Sequence, residues 1–130
     1  MSNFALEIID QVRGKQTFKE LVIDGEGQLT TFVDSLETRY KSEMDGIFNY
    51  MNQVANQKLV PKQKFHSLSD GKDGYKEYEF KSKHLRIYTI EYPNGKIVIL
   101  GGTKNNQPDD IRKFRALKKQ FLSKTIKNEK

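Results

Sequence analysis

The chain has 130 residues, of which 35% are hydrophobic and 31% charged, and this suffices for one compact domain but not comfortably for two. Its net charge is +6. The absence of cysteine excludes disulfides and thiolate metal sites, and the chain has only two histidines. We therefore expect neither a metal nor a cofactor. No apolar run approaches the ~20 residues that span a bilayer, and no cationic leader opens the chain, so we expect a cytoplasmic protein without membrane contact.

The first part of the chain is expected to contribute a short extension and one strand. Residues 1–16 form the extension, and a single domain should cover residues 17–124. From Met1 to Lys15 the apolar residues fit either a short amphipathic helix that ends at Gly14 or a weak strand, and we favour the helix. Thr17 to Asp24 is a better strand candidate because turn-forming residues follow it, and we predict that it joins the sheet.

The main helical segment is predicted from Gln28 to Lys58. Its apolar residues recur at three- and four-residue spacing and form one stripe along a helix: Leu29, Phe32, Val33, Leu36, Tyr40, Met44, Ile47, Phe48, Met51 and Ala55. An interior glycine costs ~1 kcal/mol relative to alanine, so Gly46 leaves two alternatives, one kinked helix or two helices packed as a hairpin. In either case the stripe should be buried against the sheet.

A connector and a group of strands follow this helical segment. Leu59 to Gly74 contains a proline and glycines, and we predict a mobile connector. Tyr75 to Asn105 alternates apolar and basic residues over three short runs, which predicts a three-stranded antiparallel meander. The Pro93-Asn94-Gly95 turn should reverse the chain, because Asn-Gly supplies the positive φ values that tight hairpin turns require.

A C-terminal helix is predicted from Pro108 to Phe121. A polar cap, a proline in the first turn and two carboxylates near the positive end of the helix dipole mark its start. Its outer side is cationic and includes Arg112 and Arg115, and residues 125–130 should form a frayed basic tail. Together the elements predict an α+β fold: a small antiparallel sheet of the N-terminal strand and the meander, packed against a helical hairpin, with a C-terminal helix.

The positive charge is concentrated in the second half of the chain. Residues 1–57 contain five basic and nine acidic residues, whereas residues 58–130 contain eighteen basic and eight acidic ones. A surface of this kind attracts polyanions through counterion release, so RNA or DNA is the leading partner class. A lysine-rich surface kept for solubility is the alternative, and charge alone does not separate the two.

Cations on the predicted strands suggest one enzymatic chemistry, although a P-loop, a dinucleotide fingerprint and a nucleophile–histidine triad are missing. RNA can be cleaved through its own 2′-hydroxyl, and fixed cations then stabilise the charge that builds up on the phosphate oxygens. Arg86 is the expected clamp, and Lys81, Lys83 and Lys104 are candidates for proton transfer. Parity places Lys104 on one side with Leu100 and Arg86 opposite to Leu85, while the register between the two strands is not readable from sequence; we expect Arg86 and Lys104 to face one concave surface.

Four short segments follow one another in a pattern of spacing and residue type. They are Phe65-His66-Ser67-Leu68, Tyr78-Glu79-Phe80-Lys81, Leu85-Arg86-Ile87-Tyr88 and Ile97-Val98-Ile99-Leu100, and the predicted C-terminal helix comes after them. Over about Thr17 to Leu122 this pattern resembles the RelE/ParE/HigB superfamily of toxins from bacterial toxin–antitoxin pairs. Members are small proteins with a strand, two helices and an antiparallel meander, and many are ribosome-dependent mRNA endonucleases.

The resemblance implies a role for each matching cation. Arg86 matches the arginine of the central strand, Lys81 a basic residue after the Tyr-Glu pair, and Lys104 a basic residue at the end of the last strand, so these three are the implied catalytic residues. Beside these three, we expect Lys83, His84, Asn105, Arg112 and Arg115 to bind the substrate, although the cationic side of the C-terminal helix could equally be a solvated face. HigB-like members usually carry a histidine near the end of that strand, which this chain lacks, so His84 is either its substitute or a surface histidine without a role.

The resulting prediction is the toxin of a toxin–antitoxin system, acting as a ribosome-associated, metal-independent mRNA endoribonuclease. Its implied partners are mRNA on the ribosome and a cognate antitoxin protein, and no small-molecule cofactor is needed. Two alternatives belong to other classes. One is a ParE-like, non-enzymatic inhibitor of DNA gyrase, and the other is a basic domain that keeps the toxin fold but only binds nucleic acid or protein.

Overall fold

The computed structural model describes residues 2–69 and 71–128, with side chains described as far as Lys124. Within these residues, three α-helices and seven strands form an α+β fold, which confirms the predicted class. The strands are β1 (Phe4–Ile8), β2 (Thr17–Ile23), β3 (Glu26–Gly27), β4 (Phe65–Ser69), β5 (Glu77–Lys81), β6 (Leu85–Tyr92) and β7 (Gly95–Thr103). The helices are α1 (Gln28–Ser35), α2 (Thr38–Ala55) and α3 (Gln107–Asn128), and a 3-10 turn (Lys104–Asn106) joins β7 to α3.

The strands of the described residues form one mixed sheet. Six of them follow the order β1, β2, β7, β6, β5, β4, and the two-residue β3 pairs with β2. All neighbours are antiparallel except β2 and β7, which run parallel, so the chain must cross over between them and does so through α1, α2 and the strands β4 to β6. The three predicted strands of the meander are β5, β6 and β7.

The turn between β6 and β7 uses its asparagine and its glycine for different purposes. The positive φ that we predicted for this turn is found at Asn94, at 65°. At Gly95 the constraint is space, because a Cβ atom there would lie 1.8 Å from the carbonyl oxygen of Thr17. Glycine is therefore needed where β2 begins to pair with β7.

The helix that we favoured at the start of the chain is wrong, because this segment forms β1. Phe4 and Leu6 are half-buried against the sheet's α3 side, whereas Ala5 and Glu7 between them are exposed, which is the two-residue alternation of a strand. β1 pairs along its whole length with β2. Pairing with a distant strand thus outweighs the weak helical periodicity.

The break in the long helical segment lies at Leu36 and Glu37 and not at Gly46. Both residues have extended backbone, with ψ of 137° and 149°, so the two-helix alternative is the one observed. Gly46 is exposed inside α2, with open space where its side chain would be.

Part of the predicted connector is also a strand. Phe65–Ser69 forms β4, which pairs with β5 at the edge of the sheet. The ring of Phe65 lies 4.4 Å from that of Phe80 and 5.1 Å from that of Tyr78, centroid to centroid. Aromatic packing across the two strands explains why a segment rich in turn formers is ordered here.

Both faces of the sheet are covered by helices. The core on the α1/α2 side includes Phe18, Leu29, Met44, Ile47, Met51, Phe80, Leu85, Ile87 and Val98. The core on the α3 side includes Leu21, Tyr88, Ile90, Ile97, Ile99, Leu100, Phe114, Phe121 and Leu122. Ile47, Ile87, Ile99 and Phe114 are fully buried in these cores, whereas Phe32, Leu36 and Phe48 of the predicted stripe are half-buried.

One extra residue in β7 changes which of its side chains face each core. Val98 and Leu100 pair with consecutive residues of β6, so Ile99 between them has no partner and forms a bulge. Val98 belongs to the α1/α2 core, whereas Ile99 and Leu100 both belong to the α3 core. Beyond the bulge, Gly101 faces α1 and Gly102 faces α3.

A buried lysine fastens α3 to the sheet. Lys118 is 3% exposed, and its Nζ atom donates hydrogen bonds to the carbonyl oxygen of Tyr75 at 2.6 Å and to the Glu77 carboxylate at 3.1 Å. It also lies 2.9 Å from a carboxylate oxygen of Asp73, and Arg115 Nε lies 3.1 Å from Glu77. The predicted C-terminal helix is thus confirmed. Its backbone continues to Asn128, although we expected residues 125–130 to be frayed. Residues 129 and 130 lie outside the described residues.

Replacing Lys118 by alanine should destabilise the fold strongly. The change leaves the buried carboxylate of Glu77 with only one cationic partner, and breaking a buried ion pair costs about 3–5 kcal/mol. Urea unfolding followed by circular dichroism measures the free energy of unfolding. Lys119→Ala, an exposed neighbour on the same helix, should change it by less than about 0.5 kcal/mol. Equal losses in the two variants would contradict this account of α3 docking.

Candidate active site

A cleft of about 320 Å³ opens where the junction of α1 and α2 meets the start of β6 and the end of β7. Four apolar or aromatic residues line it: Phe32, Leu36, Tyr40 and Leu85. Six polar residues complete the lining: Ser35, Glu37, His84, Thr103, Lys104 and Asn105. Apolar walls with a few convergent polar groups are typical of small-ligand sites.

Glu43 of α2 holds His84 at this cleft. Its Oε2 atom lies 2.7 Å from Nδ1 of the His84 ring, and its Oε1 atom accepts hydrogen bonds from the His84 backbone N–H at 2.9 Å and from Ser82 Oγ at 2.6 Å. One carboxylate therefore binds the turn between β5 and β6 at three points. The His84 side chain is 46% exposed, so its ring is fixed and still open to a ligand.

Glu43 determines which nitrogen of the His84 ring carries a proton. Burial by itself would raise the pKa of Glu43, but the hydrogen bonds from Ser82 and from the ring and backbone of His84 outweigh it, so the pKa lies below its ordinary value of 4.5. An ionised carboxylate only accepts hydrogen bonds, so His84 Nδ1 must carry the proton. In the neutral ring Nε2 then has a lone pair and can accept a proton from a ligand.

The end of β7 brings two more of the predicted site residues into the cleft. The backbone N–H of Lys104 donates to the carbonyl oxygen of His84 at 2.9 Å, which keeps the two residues side by side. Lys104 and Asn105 are both exposed and line the cleft. His84, Lys104 and Asn105, which the sequence placed among the site residues, are therefore brought together here.

Arg86 does not belong to this cleft, although we predicted that it shares a concave surface with Lys104. Its side chain is buried on the α3 side of β6, where Nη1 donates to the carbonyl oxygens of Ser82 at 2.6 Å and Leu85 at 2.8 Å. The parity argument fails because β7 ends at Thr103 and Lys104 begins the 3-10 turn, where the two-residue alternation of a strand no longer applies. Lys104 lies with Leu85, on the opposite face from Arg86.

The α3 side of the sheet is closed to a polyanion. Glu79 and Tyr88 lie there beside Arg86, and Gln107 at the start of α3 donates to the Glu79 carboxylate at 2.6 Å. Burial, reinforced by the negative charges of Glu79 and Asp110, raises the pKa of Tyr88 far above its ordinary value of 10. A buried, neutral tyrosine and a buried arginine under a helix are not available to bind RNA phosphates in this conformation.

The other predicted cations lie apart from the cleft lining. Lys81 is half-buried at the end of β5, and Lys83 is exposed in the turn next to His84. Arg112 and Arg115 are exposed on α3, and each is paired with a carboxylate. Of this group, Lys83 is the one adjacent in sequence to a residue of the cleft.

Two important residues were missed from sequence because they belong to the helical segment. Tyr40 was assigned to the buried stripe, yet it lines the cleft with its ring 5.1 Å from the His84 ring. Glu43 follows it by three residues and so lies on the same helix face. An acidic residue next to an aromatic one on that face was the available signal, but nothing in the sequence paired it with a histidine 41 residues away.

Comparison with protein-family models, with curated proteins and with solved structures finds no match to this chain. The geometry of the cleft therefore carries the functional assignment. No helix in the described ranges is both long enough and apolar enough to cross a membrane.

Stability should depend on pH through Glu43. Because its pKa is lowered on folding, its contribution is complete above the ordinary value of 4.5 and is lost as the pH falls through the folded value. Glu43→Gln should therefore lower the free energy of unfolding more at pH 7 than at pH 3, measured by urea denaturation. The matched control is Asp45→Asn, an exposed carboxylate on the same helix, which should have an effect under about 0.5 kcal/mol at pH 7. A pH-independent effect of Glu43→Gln would refute this linkage.

Proposed function

We propose that the protein is a metal-independent endoribonuclease that cleaves single-stranded RNA in this cleft. The observation that carries the proposal is a histidine fixed through Nδ1 by a carboxylate, in the same cleft as an exposed lysine. A histidine held in this way is suited to accept a proton, and a lysine is suited to stabilise phosphate charge. Both groups are supplied by the chain itself.

The proposed reaction uses the RNA's own 2′-hydroxyl as nucleophile. His84 Nε2 takes the proton of this hydroxyl while the 2′ oxygen forms a bond to the adjacent phosphorus. The bond from phosphorus to the 5′ oxygen of the next nucleotide breaks, and this oxygen takes a proton from solvent. The products are a 2′,3′-cyclic phosphate and a 5′-hydroxyl, and His84 later returns its proton to solvent.

Lys104 has the complementary role. Negative charge increases on the non-bridging phosphate oxygens in the transition state, so a fixed ammonium group stabilises that state more than the ground state. The hydrogen bond from the Lys104 backbone N–H to the carbonyl oxygen of His84 keeps the backbones of these two residues adjacent. In this proposal Lys104 remains a catalytic residue, as the resemblance implied, but it stabilises phosphate charge instead of transferring a proton. His84 replaces Arg86 and Lys81 at the centre of the reaction.

We further propose that this activity is that of a toxin in a toxin–antitoxin pair, acting on mRNA at the ribosome. The resemblance to the RelE/ParE/HigB superfamily and the basic second half of the chain support this context. The partner would then be an antitoxin whose acidic residues complement this charge. Compared with a gyrase inhibitor or a passive binding domain, the His84–Glu43 pair favours an enzyme.

Purified protein added to translating ribosomes should cleave mRNA, with new 5′ ends mapped by primer extension. His84→Ala should slow cleavage by about 10²-fold or more, because general base catalysis contributes roughly 10²–10⁴ in rate. Lys104→Ala should slow it by about 10²-fold through lost charge stabilisation. The matched controls are His66→Gln, the other histidine, and Lys119→Ala on α3, and both should cleave at rates close to wild type. Full activity of His84→Ala at equal folded concentration would refute the proposal.

A further inference from the structure

We propose that the cleft binds one nucleobase and that the carboxylate of Glu37 makes this base guanine. The inference rests on the proposed function, because it identifies the nucleotide whose 2′-hydroxyl His84 deprotonates. It also assigns a preference for guanine in the RNA to Glu37, which takes no part in the reaction itself. Three features of the cleft carry it: the aromatic lining, the placement of Glu37 and the amide of Asn105.

The lining of the cleft suits a single unpaired base. Phe32 and Tyr40 provide aromatic surface, and Leu36 and Leu85 add apolar contact. Bases of single-stranded RNA are commonly held by stacking on aromatic side chains, which a base inside a duplex cannot do. A volume of about 320 Å³ is large enough for one base. The expected ligand is therefore one base turned out of a single strand.

Glu37 presents its carboxylate at the edge of this cleft. It precedes the first residue of α2, and its side chain makes no capping hydrogen bond to that helix. Instead, Oε2 lies 3.0 Å from Nε of Arg39, and the guanidinium carbon of Arg39 lies 4.6 Å from the centre of the Tyr40 ring. The carboxylate therefore lies near the aromatic lining, and its side chain is 69% exposed.

The chemistry of the bases then favours guanine. Guanine has two adjacent donors on its pairing edge, N1–H and the exocyclic N2–H, and a carboxylate accepts both at once. Adenine presents the N1 lone pair at the same place, which the carboxylate repels, and the pyrimidines offer fewer adjacent donors. Asn105, in the same cleft, has an amide N–H that suits the O6 acceptor of guanine. Attraction of one base and repulsion of another together give specificity.

The position of His84 determines which nucleotide of the RNA contributes the bound base. The base site and His84 share one cleft, so the bound base belongs to the nucleotide that carries the attacking 2′-hydroxyl. Cleavage should then occur on the 3′ side of guanosine.

The test measures binding separately from cleavage. Guanosine 3′-monophosphate and adenosine 3′-monophosphate are titrated into wild-type protein, and binding is followed by amide chemical shifts in NMR spectra. We expect the guanosine nucleotide to bind at least about tenfold more tightly, with shifts at Glu37 and at Thr103 to Asn105. Glu37→Gln should reduce this ratio to within about threefold, while the matched control Asp45→Asn, on α2 outside the cleft, should keep it.

The outcomes separate the two proposals. The proposed selectivity for guanine is overturned if wild-type protein binds both nucleotides equally or binds neither. It is also overturned if Glu37→Gln leaves the ratio of the two affinities unchanged. Cleavage of mRNA without enrichment of guanosine before the new 5′ ends would also overturn it and leave the nuclease proposal standing. Selective binding of the guanosine nucleotide without any RNA cleavage would support the base site and overturn the nuclease proposal.

Discussion

A single unpaired residue in β7 determines which side chains meet in the candidate active site. If the strand kept its two-residue alternation from Val98, Gly102 would face α1 and α2, and Thr103 would face α3. The bulge at Ile99 reverses this order, because a shift of one residue moves every following side chain to the other face. The reversal places Thr103 in the lining of the cleft, and the 3-10 turn that begins at Lys104 then brings Lys104 next to His84. The position of Thr103 in the cleft depends on this irregularity.

The second requirement is a contact between the helical layer and the sheet. Glu43 lies in α2, whereas the three donors that it binds belong to the turn between β5 and β6. The contact helps to position the helix on the sheet, and it also fixes the ring of His84. A site built across two layers in this way is organised only when both layers are packed. Folding and the orientation of the His84 ring are therefore linked.

Local patterns predicted the elements well, but not the contacts between distant residues. The meander and the main helices follow from alternation and from the apolar stripe, and Asn94 carries the turn signal. β1 was missed because its strand character comes from pairing with β2. The bulge at Ile99 has no local signal, since Ile97 to Leu100 is uniformly β-branched or apolar. The burial of Arg86 depends on α3 covering it, which no property of its own strand indicates.

The candidate site was therefore predicted in part. Lys104 was identified as a basic residue at the end of the last strand, and Asn105 follows it in the chain. His84 was considered because HigB-like proteins carry a histidine that this chain lacks. The partner that gives His84 its role is 41 residues away in the chain, and a contact of that separation is not visible in periodicity. Arg86, the strongest candidate by residue type, is the one that tertiary packing removes from the site.

The chemistry of the RNA ends tests the central claim most directly. Products formed by wild-type protein on translating ribosomes are analysed by mass spectrometry, with a matched mRNA carrying one 2′-deoxynucleotide at the cleavage position. The account predicts 2′,3′-cyclic phosphate and 5′-hydroxyl ends, and no cleavage at the 2′-deoxy position. Ends bearing 3′-hydroxyl and 5′-phosphate groups, or cleavage at the 2′-deoxy position, would contradict it.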